Sequence, residues 1–343
     1  MRASAPIFFG VMWRGWRGKL KNLKCIARRF WIALRSLAFE NEGERLPPAP
    51  VSHMVAEPIM NPSLEHQLSE DLTSLAVRYS EKGVSLFPLS KRMIEVQNQL
   101  IANTILAFFS QTDSLSGATA NDIKETVTEF RKVFLSSPIT MNNYGANFPS
   151  GVNLFCLARH LGPTKIIESG VYKGQSSYYL ALACRNAAVH AFDPNLTELS
   201  HRSPGVMFYA NDWMNTDVKC QPIGSGLCFF DDHQNQALRI VQAYERGFRH
   251  ILFDDSWPIE VVVGCGWPPL PSVDMVISDT LNPDETVEWV EGGKKWTYVH
   301  NQAMQDLCAR ARRLIKAAYE MPSLYRETGI APTSAYKYVE LNL

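Results

Sequence analysis

Short apolar runs alternate with amphipathic stretches from about residue 150 to the C-terminus. The runs have the length and residue types of buried strands. They are Lys165–Glu168, Ala188–Asp193, Val206–Tyr209, Leu227–Asp231, His250–Asp254 and Lys337–Leu341. Helical spacing predicts helices over Ser176–Cys184, Asn235–Arg246 and Val299–Met321. This alternation is typical of a doubly wound, mostly parallel Rossmann-like α/β sheet.

The pattern upstream of this sheet domain, residues 150–343, is helical. A helical segment is predicted over residues 63–149, with helices at Leu64–Glu81, Ser90–Ser110 and Ala120–Leu135. Five prolines within residues 40–62 predict an extended linker before it.

A long insert, residues 258–298, separates the fifth predicted strand from the last predicted helix. Inserts of this length are usually functional or disordered. We expect a lid over a substrate site, and packing of its tryptophans within the fold is the alternative.

Charge is distributed unevenly although the chain carries 34 basic and 34 acidic residues. Residues 1–39 contain nine basic and no acidic residues, so the rest of the chain has a net charge of −9. Within residues 12–39, apolar residues recur at helical spacing, which predicts a basic amphipathic helix. Such a helix either lies on an anionic membrane surface or docks on protein, including a second copy in a homo-oligomer.

The cysteines and the hydropathy pattern indicate the cellular compartment of the protein. The seven cysteines are scattered and form no CxxC pair, which favours a reducing compartment and excludes a zinc site of the paired-cysteine type. No run is long enough for a membrane-spanning helix. We therefore expect a cytoplasmic protein, peripheral on the inner membrane face if residues 1–39 bind lipid. Because the basic segment is remote from the candidate site and no RNA-reading motif occurs, we expect no nucleic-acid partner.

A glycine turn follows the first predicted strand and opens a helix. Its sequence is Glu-Ser-Gly-Val-Tyr-Lys-Gly-Gln-Ser, with Glu168, Gly170, Gly174 and Ser176 as the candidate binding residues. Glycines allow a tight turn and a close approach of the backbone to a ligand. The GxGxxG fingerprint of dinucleotide binding is missing.

Polar residues also follow the second and third predicted strands. Asp193 can accept hydrogen bonds from ribose hydroxyl groups, and Asn211 and Asp212 can reach an exocyclic amine. Ligands of open α/β sheets bind at this edge. The residues together imply an adenosine-containing ligand without a diphosphate, and a plain strand–helix turn is the alternative.

Two pairs of acids end the fourth and fifth predicted strands. Asp231 and Asp232 are followed by His233, and Asp254 and Asp255 end the next strand. Crowded carboxylates repel one another unless a cation neutralises them. Oxygen ligands favour Mg²⁺ or a similar divalent ion. Helix-capping acids are the alternative.

The glycine turn resembles the first motif of class I S-adenosylmethionine-dependent methyltransferases. It is most similar to that of the metal-dependent TylF-type O-methyltransferases, which act on macrolide and aminocoumarin sugars. The resemblance covers roughly residues 150–343 and implies the Rossmann-like fold and S-adenosylmethionine as cofactor. It places Glu168, Gly170 and Gly174 beside the methionine and ribose, and Asp193 on the ribose.

By the same resemblance Asp231, Asp254 and Asp255 are the ligands of Mg²⁺. His233 stands where the sugar enzymes have an acidic base, so His233 or Asp232 is expected to be the general base. The implied activity is O-methylation of a sugar-like or vicinal-diol hydroxyl on a small molecule or glycan. The alternatives are a membrane-peripheral scaffold that keeps the fold without turnover, and a nicotinamide oxidoreductase.

Overall fold

The computed structural model describes residues 91–139, 145–256, 268–279, 281–291 and 293–343, with the backbone alone at Glu291. The predicted segments 1–39 and 40–62 and the predicted helix Leu64–Glu81 lie outside these residues, so they stay predictions. Within the described part of the chain no helix is long and apolar enough to cross a membrane.

The main sheet has seven strands. They are β1 (Lys165–Ser169), β2 (Ala188–Phe192), β3 (Val206–Tyr209), β4 (Gly226–Phe230), β5 (His250–Phe253), β8 (Ile315–Glu320) and β9 (Lys337–Leu341). Their order is β3-β2-β1-β4-β5-β9-β8. Strands β1 to β5 are parallel, and β9 is antiparallel to both of its neighbours. The predicted mostly parallel, doubly wound Rossmann-like fold is confirmed, with the order reversing at β1 and β4.

The described helices are α1 (Lys91–Phe109), α2 (Ala120–Leu135), α3 (Phe148–Leu161), α4 (Gln175–Ala183), α5 (Gln236–Glu245), α6 (Val273–Ser278), α7 (Gln302–Leu314) and α8 (Tyr325–Thr328). One face of the sheet shares a core with α1 to α4, in which Phe130 contacts four other aromatic rings. Helices α5, α6 and α7 cover the other face. The helices at Ser90–Ser110 and Ala120–Leu135 are therefore confirmed, to within a residue.

The single helix predicted over Val299–Met321 is wrong. Helix α7 ends at Leu314, and Ile315–Glu320 forms β8, which pairs with β9 at the sheet edge. The insert also has structure of its own. It contains α6 and most of an antiparallel hairpin of β6 (Glu285–Glu291) and β7 (Lys294–His300), which extends two residues beyond the predicted end of the insert. Its role as a lid stays a prediction, because residues 257–267 are outside the described part.

The strand register brings the acids to one edge of the sheet. Phe230 pairs with Phe253, so the residues that follow, Asp231 and Asp254, are neighbours across the two strands. Side chains alternate between the faces of a strand. Glu168 and Asp254 follow the buried Ile166 and Leu252 by two residues, which places them toward the α1–α4 face.

His250 supplies a test of the fold at the opposite end of β5. Its Nδ1 lies 2.8 Å from the Tyr338 hydroxyl, and the two rings stack. Burial is the main reason that the pKa of His250 is lowered from 6.5 to about 4. The unfolded chain therefore takes up a proton near pH 6.5, whereas the folded chain does so only near pH 4.

Stability from this group is present above pH 6.5 and is lost as the pH falls. Between pH 7 and pH 5 we expect His250 to remove about 2 kcal/mol of unfolding free energy. Urea unfolding of the wild type and of His250→Asn at both pH values measures this difference. An equal loss in both proteins would show that His250 does not cause it.

Candidate active site

The turn after β1 is held against β4 by a glycine. Gly170 has φ of 94°, and its amide donates to the Phe192 carbonyl. A Cβ at this position would lie 2.1 Å from the Asp231 carbonyl oxygen. Gly174 precedes α4 with φ of 85°, and a Cβ there would meet the His201 carbonyl oxygen at 2.5 Å. Both predicted glycines are therefore required by close backbone contacts.

Glu168, the residue before the end of β1, is fully buried. The Ser177 hydroxyl donates to its Oε2 at 2.5 Å, while Oε1 has no hydrogen-bond partner within the described residues. Burial raises the pKa of Glu168 to about 7, although hydrogen bonds from Ser176 and Ser177 oppose the increase. The unpaired Oε1 is an acceptor for an N–H or O–H group of a ligand.

Asp193 fixes the shape of the glycine turn. Its Oδ2 accepts from the amides of Val171 and Tyr172 at 3.0 and 3.2 Å, and its Oδ1 accepts from the Asn195 amide at 2.8 Å. The structure thus gives the carboxylate a role in the backbone that the sequence did not indicate. Oδ1, which accepts one hydrogen bond, retains a lone pair for a further donor, so a hydrogen bond from ribose is still open to it.

The two candidates after β3 differ in what they offer. Asn211 has a buried Oδ1 without a partner in the described part of the chain, which suits an amine donor. Asp212 instead accepts from the Arg239 guanidinium through both oxygens, at 2.9 and 2.8 Å, and from the Met214 amide. Its carboxylate is therefore occupied by contacts within the protein.

Three predicted side chains converge beyond β4 and β5. One ligand atom each of Asp231, His233 and Asp255 lies within 4.8 Å of the others. His233 and Asp255 both have a left-handed backbone with φ of 53°, and His233 Nδ1 lies 3.0 Å from Asp255 Oδ2. His233 is exposed over 44% of its side chain, which makes it accessible from the cleft.

Asp254 lies behind this group. It is buried, and its Oδ1 accepts from the Asp255 amide at 2.6 Å. Ser334, just before β9, also donates to its carboxylate. The three predicted ligands thus divide into Asp231 and Asp255, which meet His233, and Asp254, which is tied to its own loop.

The electrostatics of the cleft are those of crowded acids. The pKa of Asp231 is raised well above its ordinary value, first by burial and then by the charges of Asp254 and Asp255. Burial and Asp255 also raise the pKa of Asp254. The hydrogen bond to Asp255 raises the pKa of His233. A bound cation would stabilise the ionised form of all these carboxylates.

Asp232, the other candidate base, is bound by an arginine. Its Oδ2 accepts from Arg239 Nε at 2.9 Å and lies 2.6 Å from Nη2. Arg239 is 2% exposed and was missed in the sequence. The signal that could have found it is its position on α5, where a lone arginine occurs among the buried Ala237, Ile240 and Val241.

No family model matches the chain, and a comparison with curated proteins found no match. Several solved structures are similar. The O-methyltransferase TomG from Streptomyces achromogenes, solved with S-adenosylmethionine, is 14% identical with a TM-score of 0.37, covering 71% of this chain and 99% of its own. The O-methyltransferase from Bacillus cereus, solved with S-adenosylhomocysteine, is 14% identical with a TM-score of 0.35, covering 70% and 99%.

A third similar structure is CmcI solved with Mg and S-adenosylmethionine. It is 11% identical with a TM-score of 0.33, covering 57% of this chain and 72% of its own. Identities this low and TM-scores below 0.5 do not establish a shared activity.

Proposed function

We propose that the chain is an S-adenosylmethionine-dependent O-methyltransferase assisted by a divalent cation. The observation that carries the proposal is the convergence of Asp231, His233 and Asp255 at the carboxyl edge of the sheet, beside the glycine turn. The acidic side chains can bind a cation, and the accessible imidazole can take up a proton. Next to a glycine turn that suits a nucleoside, these groups can activate an acceptor hydroxyl group for attack on a bound cofactor.

The part of this edge formed by the glycine turn and the loops after β2 and β3 offers hydrogen-bond groups that suit S-adenosylmethionine. Glu168 Oε1 and Asn211 Oδ1 are buried acceptors without a partner in the described residues. Gly170 and Gly174 bring bare backbone to the ligand edge. Ser176 at the start of α4 and Asp193 in the second-strand loop complete the proposed set. When bound, the cofactor supplies an electrophilic methyl group.

Asp231 and Asp255 are the proposed ligands of Mg²⁺, with the buried Asp254 as a third carboxylate. Hard oxygen ligands with an excess of negative charge match this ion. When bound, the cation lowers the pKa of a chelated hydroxyl group. A sugar-like or vicinal-diol acceptor is proposed because two neighbouring oxygens can bind one cation together.

His233 is the proposed general base. Its Nδ1 faces Asp255, which leaves Nε2 to take the proton of the acceptor hydroxyl. Asp255 orients the ring and stabilises the protonated imidazole, as a carboxylate does for a catalytic histidine. Asp232 is less suited to this role, because Arg239 holds its carboxylate.

Calorimetric titration of S-adenosylmethionine into the full chain, with MgCl₂ and then with EDTA, tests the proposal. We expect binding in both conditions and a separate signal for Mg²⁺. Asp255→Asn should weaken Mg²⁺ binding by about tenfold or more, because it removes one charged ligand. Binding of S-adenosylmethionine should be nearly unchanged.

Asp284→Asn is the matched control. Asp284 also has a left-handed backbone, with φ of 68°, but is exposed at the start of the hairpin. Its replacement should leave both affinities unchanged. If S-adenosylmethionine binds neither with MgCl₂ nor with EDTA, the proposed function is wrong. If Asp255→Asn and Asp284→Asn bind Mg²⁺ equally, the cation site is wrong.

A further inference from the structure

One buried arginine joins the two loops that form the proposed site. Arg239 Nη1 and Nη2 donate to the two oxygens of Asp212, in the loop after β3. Its Nε donates to Asp232, in the loop after β4. Nη1 also donates to Gln242 one turn further along α5. The guanidinium lies 5.5 Å from the centre of the Phe230 ring, so apolar surface covers it on that side.

This arrangement restricts independent movement of the two loops. A guanidinium buried to 2% exposure cannot lose a carboxylate partner without leaving an uncompensated charge in the protein interior, which is strongly destabilising. If the loop after β3 shifts when a nucleoside binds beside Asn211, Asp212 carries Arg239 with it. Asp232 then follows, and the neighbouring Asp231 and His233 move with the same loop.

We infer that Arg239 is a positioning residue that couples cofactor binding on the β3 side to cation binding on the β4 side. The inference rests on the proposed function, which assigns a ligand to each loop. Because Arg239 binds the Asp232 carboxylate, the inference also removes Asp232 from the candidates for the general base. Arginine suits this role because its planar fork can bind two carboxylates at once, whereas lysine is a point charge.

Arg246, the residue directly after α5, is a matched control. Its guanidinium donates to the carbonyl oxygens of Trp213, Met214 and Thr216 in the loop after β3. It contacts no carboxylate of the loop after β4 in the described structure. Arg246→Lys should therefore disturb the β3 loop without breaking the link between the loops.

The experiment measures the affinity for MnCl₂ by electron paramagnetic resonance, with and without S-adenosylhomocysteine. Mn²⁺ accepts the same oxygen ligands as Mg²⁺. In the wild-type chain we expect S-adenosylhomocysteine to change the Kd for Mn²⁺ by about fivefold or more. In Arg239→Lys the change should fall below about twofold. In Arg246→Lys it should stay as in the wild type.

Asp232→Ala provides a second variant if Arg239→Lys does not fold. It cuts the link to the β4 loop but keeps the paired bonds to Asp212, and it should also reduce the coupling. The inference is overturned if the wild type binds Mn²⁺ and S-adenosylhomocysteine without coupling. It is also overturned if Arg239→Lys and Asp232→Ala fold and keep the coupling of the wild type. It is equally overturned if Arg246→Lys loses the coupling as far as Arg239→Lys does. Failure of the wild type to bind S-adenosylhomocysteine would instead overturn the proposed function, and this inference with it.

Discussion

Replacing His233 by Asn is expected to lower kcat for methyl transfer by about 10²- to 10⁴-fold, the usual contribution of a positioned general base. Asparagine tolerates the left-handed backbone of this position and can still donate to Asp255, but it cannot take up a proton. The measurement is transfer of a labelled methyl group from S-adenosylmethionine to catechol or a methyl hexopyranoside, with MgCl₂ present.

The pattern of effects separates a base from a cation ligand. If His233 is the base, His233→Asn should keep the Mg²⁺ affinity within about threefold of the wild type while kcat collapses. If His233 is mainly a ligand, the Mg²⁺ affinity should fall and excess MgCl₂ should restore part of the rate. Full activity in His233→Asn would exclude both roles, and the assignment of the base would then be wrong.

The fold could be predicted where local pattern and tertiary structure agree. The strands Val206–Tyr209 and Lys337–Leu341 were predicted with their observed bounds, because apolar or β-branched runs flanked by polar turns have few other uses. The edge strand β8 could not be predicted in this way. Its sequence, Ile-Lys-Ala-Ala-Tyr-Glu, contains good helix formers and follows α7 without a turn residue. Pairing with β9, a long-range contact, determines its conformation.

The candidate site shows a similar division. Two acid pairs at the ends of consecutive parallel strands predicted a cluster, because those ends must meet at one edge. Which acid of each pair faces the cleft depends on backbone torsions that the sequence does not specify. The left-handed backbone of His233 and Asp255 determines where these two side chains lie. The position of the Asp232 side chain is determined by Arg239, seven residues later on the next helix, which donates to its carboxylate.

Gly170→Ala is expected to abolish binding of S-adenosylmethionine and to lower the free energy of unfolding by more than about 3 kcal/mol. The new Cβ would lie 2.1 Å from the Asp231 carbonyl oxygen and 2.5 Å from its carbonyl carbon, so β1 and β4 must separate where they form the site. Backbone atoms cannot rotate away as a side chain can, and left-handed strain adds about 1 kcal/mol.

Gly205→Ala isolates the steric part of this effect. Gly205 has a similar φ of 79°, but nothing lies within 4 Å of the position of its Cβ. Its replacement should therefore cost only the left-handed strain of about 1 kcal/mol and leave cofactor binding intact. Urea unfolding and calorimetric titration of both variants make the comparison. Equal effects would mean that backbone strain alone accounts for the loss. A larger loss in Gly170→Ala would show that the close approach of β1 to Asp231 is what keeps the glycine turn and the acidic cluster at one edge.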